Sequence, residues 1–356
     1  MSTHPSPPGK SKQQRLADII VRGRLLGVLR RCHDRARSPV LILGYHRIAT
    51  IDQPHAYPLD LGLVSATAEE FDTQMRALRE FANPVSLDDI ADAVAHRRTL
   101  PERAVAVTFD DSFNDTFEVA FPVLRQHGIP ASVFISTGHV EDNEPFWFEI
   151  TAHLMLRIPP RALTFEQCPG GLPEGEGIAT RRASIVRLHR LLKAFGNQQR
   201  RELVDGWRTR FASYIDPRAH ELSRPVSRQQ ILEMSRNGID FGSHTVSHPN
   251  LALASTESIV REFNDSRAYL EALLGRRVRS LAYPFGTPDT YDGRAISAAR
   301  DCGYDLAVSY RQGVNWLGSL APFELRRIGI SPGVTPNQFR AMLALPGWLH
   351  PHFDHH

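Results

Sequence analysis

Two short segments of the chain hold residue types that can do chemistry together. The first is Thr108-Phe109-Asp110-Asp111, where two adjacent carboxylates follow directly on an apolar run. Carboxylates at the end of a buried strand are costly unless something uses them. The second is Gly242-Ser243-His244-Thr245-Val246-Ser247-His248, with two imidazoles four residues apart. On a helical backbone that spacing puts both rings on one face, within reach of one cation. Two histidines and one carboxylate leave a tetrahedral metal an open position, the mark of a catalytic rather than a structural site. Each segment alone has an ordinary reading: an aspartate as a helix N-cap, the histidines as surface or capping groups. Together they describe a hydrolase. One carboxylate binds the ion, the other is free to take a proton, and the cation lowers the pKa of water from about 15.7 toward roughly 7.

Both segments follow strand-like runs in an alternation of strands and helices. Apolar runs of strand length cover Pro39 to Tyr45, Ala104 to Phe109 and Ala131 to Ser136, then 239–243, 278–283, 305–309 and 325–330. Between them, Thr67 opens a helix with Glu70 three residues after the cap, and Ser86 caps a helix from Leu87 to Ala95, after a short link at 83–85. Helices are also expected over 115–127, ending at Gly128, over 227–237, over 256–274, ending at Gly275, and over 293–302. Repeated strand–helix units imply a parallel sheet, here curled into a barrel. Residues at the C-terminal ends of such strands point into a common site. Residues 141–226 break the rhythm with Pro159-Pro160, a Gly/Pro/Glu-rich stretch at 169–177 and an Arg-rich helical stretch from about 181 to 208. They read as a mostly helical insertion on one barrel loop, inside a main domain spanning 39–345. Residues 1–38 read as a polar, disordered start followed by a basic amphipathic helix over 14–37, and 346–356 as a His-rich tail.

In these motifs the chain resembles the polysaccharide deacetylase family, the NodB-homology or carbohydrate esterase family 4 group. Thr108 to Asp111 looks like the first motif of that family, His244 to His248 like its second, and Ala282-Tyr283-Pro284-Phe285-Gly286 like its third, usually written RxPYG. The resemblance runs from about Leu43 to Ile330. It implies an α/β fold, an irregular (β/α)7 barrel, with Asp111, His244 and His248 on a divalent cation: zinc, with cobalt or nickel as alternatives. It further implies Asp110 as general base and the Phe285 backbone N–H as an oxyanion donor. Two departures stand out. Ala282 occupies the place of the usual arginine, and Leu325-Arg326-Arg327 stands where Leu-x-His is usual. Gly44-Tyr45-His46-Arg47 looks like the early segment of the exopolysaccharide branch, in which the histidine is the general acid, so the resemblance gives His46 that role. A strand-end histidine can titrate near neutral pH, though it can equally be a buried structural group. Arg327 is a candidate stand-in beside Asp110. Tyr283, Pro284, Arg327 and Trp147 are candidate substrate contacts, Trp147 as an aromatic that would stack on a sugar ring or else belong to the core.

The function this implies is metal-dependent removal of acetyl groups from N-acetylated amino sugars of a polysaccharide or its precursor. A C–N hydrolase of a small cyclic amide or ureide on the same fold is one alternative, and a noncatalytic glycan-binding protein another; fold does not separate them. A net charge of +3 over 356 residues gives no basis for a nucleic-acid partner. Three dispersed cysteines give neither a disulfide framework nor a thiolate metal site. No secretory signal or membrane-length apolar run is read, so a cytoplasmic location is expected. Helix 14–37 could contact the inner membrane face through its arginines, or simply cover the domain.

Overall fold

The structure is a computed structural model that describes Asp18 and residues 39–159 and 177–345. The amphipathic helix read at 14–37 (Asp18 apart), the stretch from Pro160 to 176 and the His-rich tail lie outside the described residues.

Seven parallel strands close into a barrel: β1 (Pro39–Tyr45), β2 (Ala104–Phe109), β3 (Ala131–Ile135), β4 (Ile239–Ser243), β5 (Ser280–Ala282), β6 (Leu306–Gln312) and β7 (Leu325–Gly329). Each pairs with the next, and β7 returns to β1, so no barrel edge is left unpaired. Strand alternation sorts the apolar residues. Val40, Ile42, Ala104 and Ala106 belong to the core cluster that contains Phe134, Val308 and Leu325, whereas Leu41, Leu43, Val105 and Val107 join the cluster shared with the surrounding helices. Tight packing explains Gly242 on β4, where a Cβ would sit 2.5 Å from the Phe134 ring. Ala282 lies in the same cluster as Phe134.

The outer helices begin where their caps say they should. Helix α1 (Ala68–Phe81) carries the Thr67/Glu70 capping box, and α2 (Leu87–His96) carries one between Ser86 and Asp89. Each cap is worth about 1 kcal/mol. The expected helix over 115–127 opens as a π-helical turn, Thr116–Ala120, before α3 (Phe121–His127) ends on left-handed Gly128. The link at 83–85 contains a two-residue strand, Asn83–Pro84, paired with β2.

The insertion contributes α4 (Trp147–Arg157), α5 (Ile178–Lys193), α6 (Asn197–Arg210) and α7 (Pro217–Leu222). The single Arg-rich helical stretch expected over 181–208 is therefore two helices, with α6 starting at a Gly196 N-cap. They share their own apolar cluster, which includes Phe146, Trp147, Leu188, Val204 and Trp207. Completing the ring are α8 (Arg228–Arg236), α9 (Thr256–Leu274), α10 (Gly293–Asp301) and α11 (Pro336–Ala344), the last not anticipated from the sequence. No helix among the described residues is long and apolar enough to cross a membrane.

Candidate metal centre

Strand register brings the two motifs to one rim. Tyr45 pairs with Phe109, so His46 and Asp110 leave β1 and β2 at the same level. Each residue just past its strand is tied to the neighbouring strand: the Asp110 N–H donates to the Tyr45 carbonyl at 3.0 Å, and the His244 N–H to that of Ile135 at 2.8 Å.

Asp111 Oδ1 lies 3.4 Å from His244 Nε2 and 3.3 Å from His248 Nε2. One ligand atom from each residue falls within 4.8 Å of the others, and all three residues are buried. Among the described residues, Asp111 Oδ1 has no hydrogen-bond donor. His244 Nδ1 is 2.8 Å from the Ala282 carbonyl, which holds the proton there and leaves a lone pair on Nε2. A buried carboxylate oxygen facing two imidazole nitrogens, one of them fixed as an acceptor, fits a divalent cation.

The histidines do not converge through a helix, as their spacing suggested. The segment after β4 is a turn in which Thr245 and His248 take left-handed φ of 68° and 52°. Glu262 on α9 holds it, accepting from the N–H groups of Val246 (2.7 Å) and Ser247 (3.0 Å) and from the Ser247 hydroxyl (2.5 Å). Asp111, Ser112 and Phe285 also have positive φ. Strain of this kind, of order 1–3 kcal/mol per residue, persists where surroundings over-determine the backbone. Neither Asp110 nor Asp111 caps the helix that follows β2, which begins at Thr116.

Asp110 stands beside the triad, 2% exposed, and accepts two hydrogen bonds from Arg327, each 2.7 Å long. Burial, the largest single influence, would raise its carboxyl. The Arg327 charge and its direct hydrogen bonds oppose it, and Asp110 is held below the ordinary carboxylate value. Arg327 is itself anchored, donating from Nε to the Ser309 carbonyl at 2.9 Å and lying 4.1 Å from the Tyr310 ring centre.

His46 lines the cleft with its side chain 24% exposed and Nε2 3.9 Å from Asp111 Oδ2. Its Nδ1 is 3.1 Å from the Tyr310 hydroxyl, and the two rings stack. Burial pushes the imidazole below its ordinary pKa, against the upward pull of Asp111 and Asp110. Tyr310 rides on an irregular stretch of β6, where the register against β7 slips, and bulges of this kind re-aim side chains at active sites. Gly44 makes room for it, since a Cβ there would meet the Tyr310 hydroxyl at 2.9 Å.

Phe285 lines the cleft, and its backbone N–H has no acceptor among the described residues. Trp147 and Phe148 of α4 form part of the wall. The other expected substrate contacts lie elsewhere. Tyr283 is fully buried in the outer core, its hydroxyl donating to the Phe323 carbonyl and its ring stacked on Tyr291. Pro284 is buried outside the cleft lining, and Arg327 lies fully buried behind Asp110. Asp60, His189, Lys193 and Tyr310 line the cleft without having been singled out from the sequence. The only trace of them there is the four-residue spacing of His189 and Lys193 on a helix.

A closed parallel barrel with carboxylates and imidazoles gathered at one rim defines a hydrolytic enzyme. The polysaccharide deacetylase family model matches residues 97–307, more than half of the chain, and the chain belongs to that family, whose members hydrolyse N-acetyl amide bonds. A Bacillus subtilis relative named as a polysaccharide deacetylase, YxkH, is 20% identical over 86% of this chain and 76% of its own. The poly-β-1,6-N-acetyl-D-glucosamine N-deacetylase of Staphylococcus epidermidis is 27% identical over 29% of this chain and 38% of its own. Among solved structures, the Streptococcus pyogenes deacetylase PplD, in complex with acetate, superposes with a TM-score of 0.56 at 21% identity, covering 85% of this chain and 96% of that one. IcaB from Ammonifex degensii gives 0.53 at 21% identity, over 86% and 96%. These likenesses confirm the barrel.

Proposed function

We propose that the protein removes acetyl groups from N-acetylated amino sugars of a polysaccharide or its precursor, with Asp111, His244 and His248 holding a divalent cation. The observation that carries this is the buried, donorless Asp111 Oδ1 facing two imidazole nitrogens, next to a second carboxylate kept ionised by Arg327. Two nitrogens and one oxygen suit zinc, and also cobalt or nickel. Bound there, the cation supplies Lewis-acid charge for the acetamide oxygen and acidifies water.

The remaining chemistry belongs to the chain. Asp110, ionised and fixed by Arg327, takes a proton from the water that attacks the acetyl carbon. The free Phe285 N–H donates to the oxygen as it gains negative charge. His46, at the end of the strand next to that of Asp110 and oriented by Tyr310, gives its proton to the sugar nitrogen, the C–N bond breaks, and acetate and the free amine remain. The Staphylococcus epidermidis relative, a poly-β-1,6-N-acetyl-D-glucosamine N-deacetylase, supports an N-acetylglucosamine polymer as the substrate class. Walls around the cleft keep a second reading open, hydrolysis of a small cyclic amide or ureide.

The test is acetate release from acetylated chito-oligosaccharides and β-1,6-linked N-acetylglucosamine oligomers, with chelator-stripped protein reloaded with zinc, cobalt or nickel. Metal-restored acetate release supports the reading. Ammonia or ring-opened product from cyclic ureides alone, with acetylated sugars untouched, contradicts it.

A further inference from the structure

Arg47 directly follows His46 and has no part in the chemistry above. It is 3% exposed and lies outside the cleft lining. A buried guanidinium is costly unless its charge and its hydrogen bonds are both met. Here Nε donates to Asp115 Oδ2 at 2.9 Å, Nη1 donates to Glu149 Oε1 at 2.6 Å, and Nη2 donates to the Leu222 carbonyl. The guanidinium carbon lies 4.5 Å from the Phe113 ring centre.

These partners come from the segments that build the site. Phe113 and Asp115 follow Asp111 in the same segment. Glu149 lies on α4, which also carries Trp147 and Phe148 of the cleft wall, and Leu222 ends α7. Asp115 precedes the π-helical turn at Thr116, but its side chain does not cap that turn. Its second oxygen instead accepts the Ile48 N–H at 3.1 Å. His46 therefore sits between two ties to the segment that holds Asp110 and Asp111. Before it, the Tyr45 carbonyl accepts the Asp110 N–H; after it, Arg47 and Ile48 are both bound by Asp115. The His46 N–H itself donates to the Ser65 hydroxyl at 2.9 Å. The outcome is the 3.9 Å between His46 Nε2 and Asp111 Oδ2.

From these ties, and resting on the reading of His46 as the proton donor, we infer that Arg47 is a positioning residue for the reaction: bound to Asp115 and Glu149, it fixes the backbone of His46 relative to the aspartate pair and to α4. A misplacement of about 1 Å at a reacting group can cost about 10²-fold in rate. The residue type fits the task. The planar fork of arginine meets two carboxylates and a carbonyl in fixed directions, whereas the ammonium of a lysine keeps the charge without those directions.

The experiment is a double-mutant cycle on the metal-loaded full chain, read as acetate release from N-acetylglucosamine oligomers. Arg47→Lys is made in wild type and in His46→Ala. The inference expects kcat to fall about 10- to 100-fold in the first background, with bound metal unchanged. In the second background it expects a change of less than about twofold, because no placed donor remains to be displaced. Asp115→Asn keeps an acceptor for the Ile48 N–H and loses the ion pair, and it is taken through the same cycle as an independent variant. Equal losses in the two backgrounds, wild-type kcat in both variants, or loss of fold or metal in both variants overturns the inference and leaves the deacetylase reading intact. Wild-type kcat in His46→Ala removes His46 as the donor, and no acetate from any oligomer removes the deacetylase reading; the inference falls with either.

Discussion

Arg327 and Asp110, 217 positions apart in the chain, meet through two hydrogen bonds of 2.7 Å in a fully buried setting. In the proposed mechanism Arg327 would stand in, from a different strand, for the arginine usual at the Ala282 position. Removing one partner of a buried ion pair typically costs 3–5 kcal/mol, because the other charge is left uncompensated. Arg327→Met should therefore lower stability by about that amount and cut kcat. Losing the cation lets burial raise the Asp110 carboxyl. The base is active only when ionised, so the acid limb of the kcat profile should move to higher pH. A pH–rate series compared with wild type checks this, and an unmoved limb would remove Arg327 from the role.

His46 and Tyr310 form the second pair. His46→Ala should lower kcat by roughly 10²–10⁴, the usual contribution of a general acid, with metal content unchanged. Tyr310→Phe keeps the ring stack and removes only the hydroxyl that meets Nδ1, so a smaller loss, about tenfold, is expected. Steady-state kinetics with parallel metal analysis separates this from a structural role, in which both variants lose fold or metal before turnover.

The insertion also grips the turn that carries His244 and His248. Arg200, 1% exposed, donates to the His248 carbonyl at 3.2 Å and lies over Trp147, Asn197 donates to the Ser247 hydroxyl at 2.8 Å, and Asn250 donates to the Lys193 carbonyl at 2.9 Å. Groups that orient a ligand's backbone act on metal affinity at one remove. Arg200→Met should weaken cation binding by about 10–100-fold, as read by competition with a chromophoric chelator.

Much of this was legible in the sequence because strands and caps are local. The runs at Pro39–Tyr45 and Ala104–Phe109, the capping box at Thr67 and the cap at Ser86 coincide with the observed elements. Helix α11 was missed although Thr335-Pro336 and Gln338 spell a capping box with proline at its first turn. The geometry of His244 and His248 was not readable, because it depends on left-handed turns held by Glu262 from another element. Tyr283 misled for a related reason: motif position says nothing about facing, and its side chain turns to the outer core. The Asp60, His189 and Lys193 wall depends on how an insertion folds back over the rim, which no local pattern encodes.

The most direct measurement is metal content per chain, by plasma mass spectrometry, for wild type and Asp111→Ala after chelation, reloading with zinc and gel filtration. Histidines of the tail are present in both proteins, so the difference reports the triad. Wild type should retain about one more tightly held ion than Asp111→Ala, as expected of one site built from three protein ligands. Equal zinc in the two proteins would contradict it.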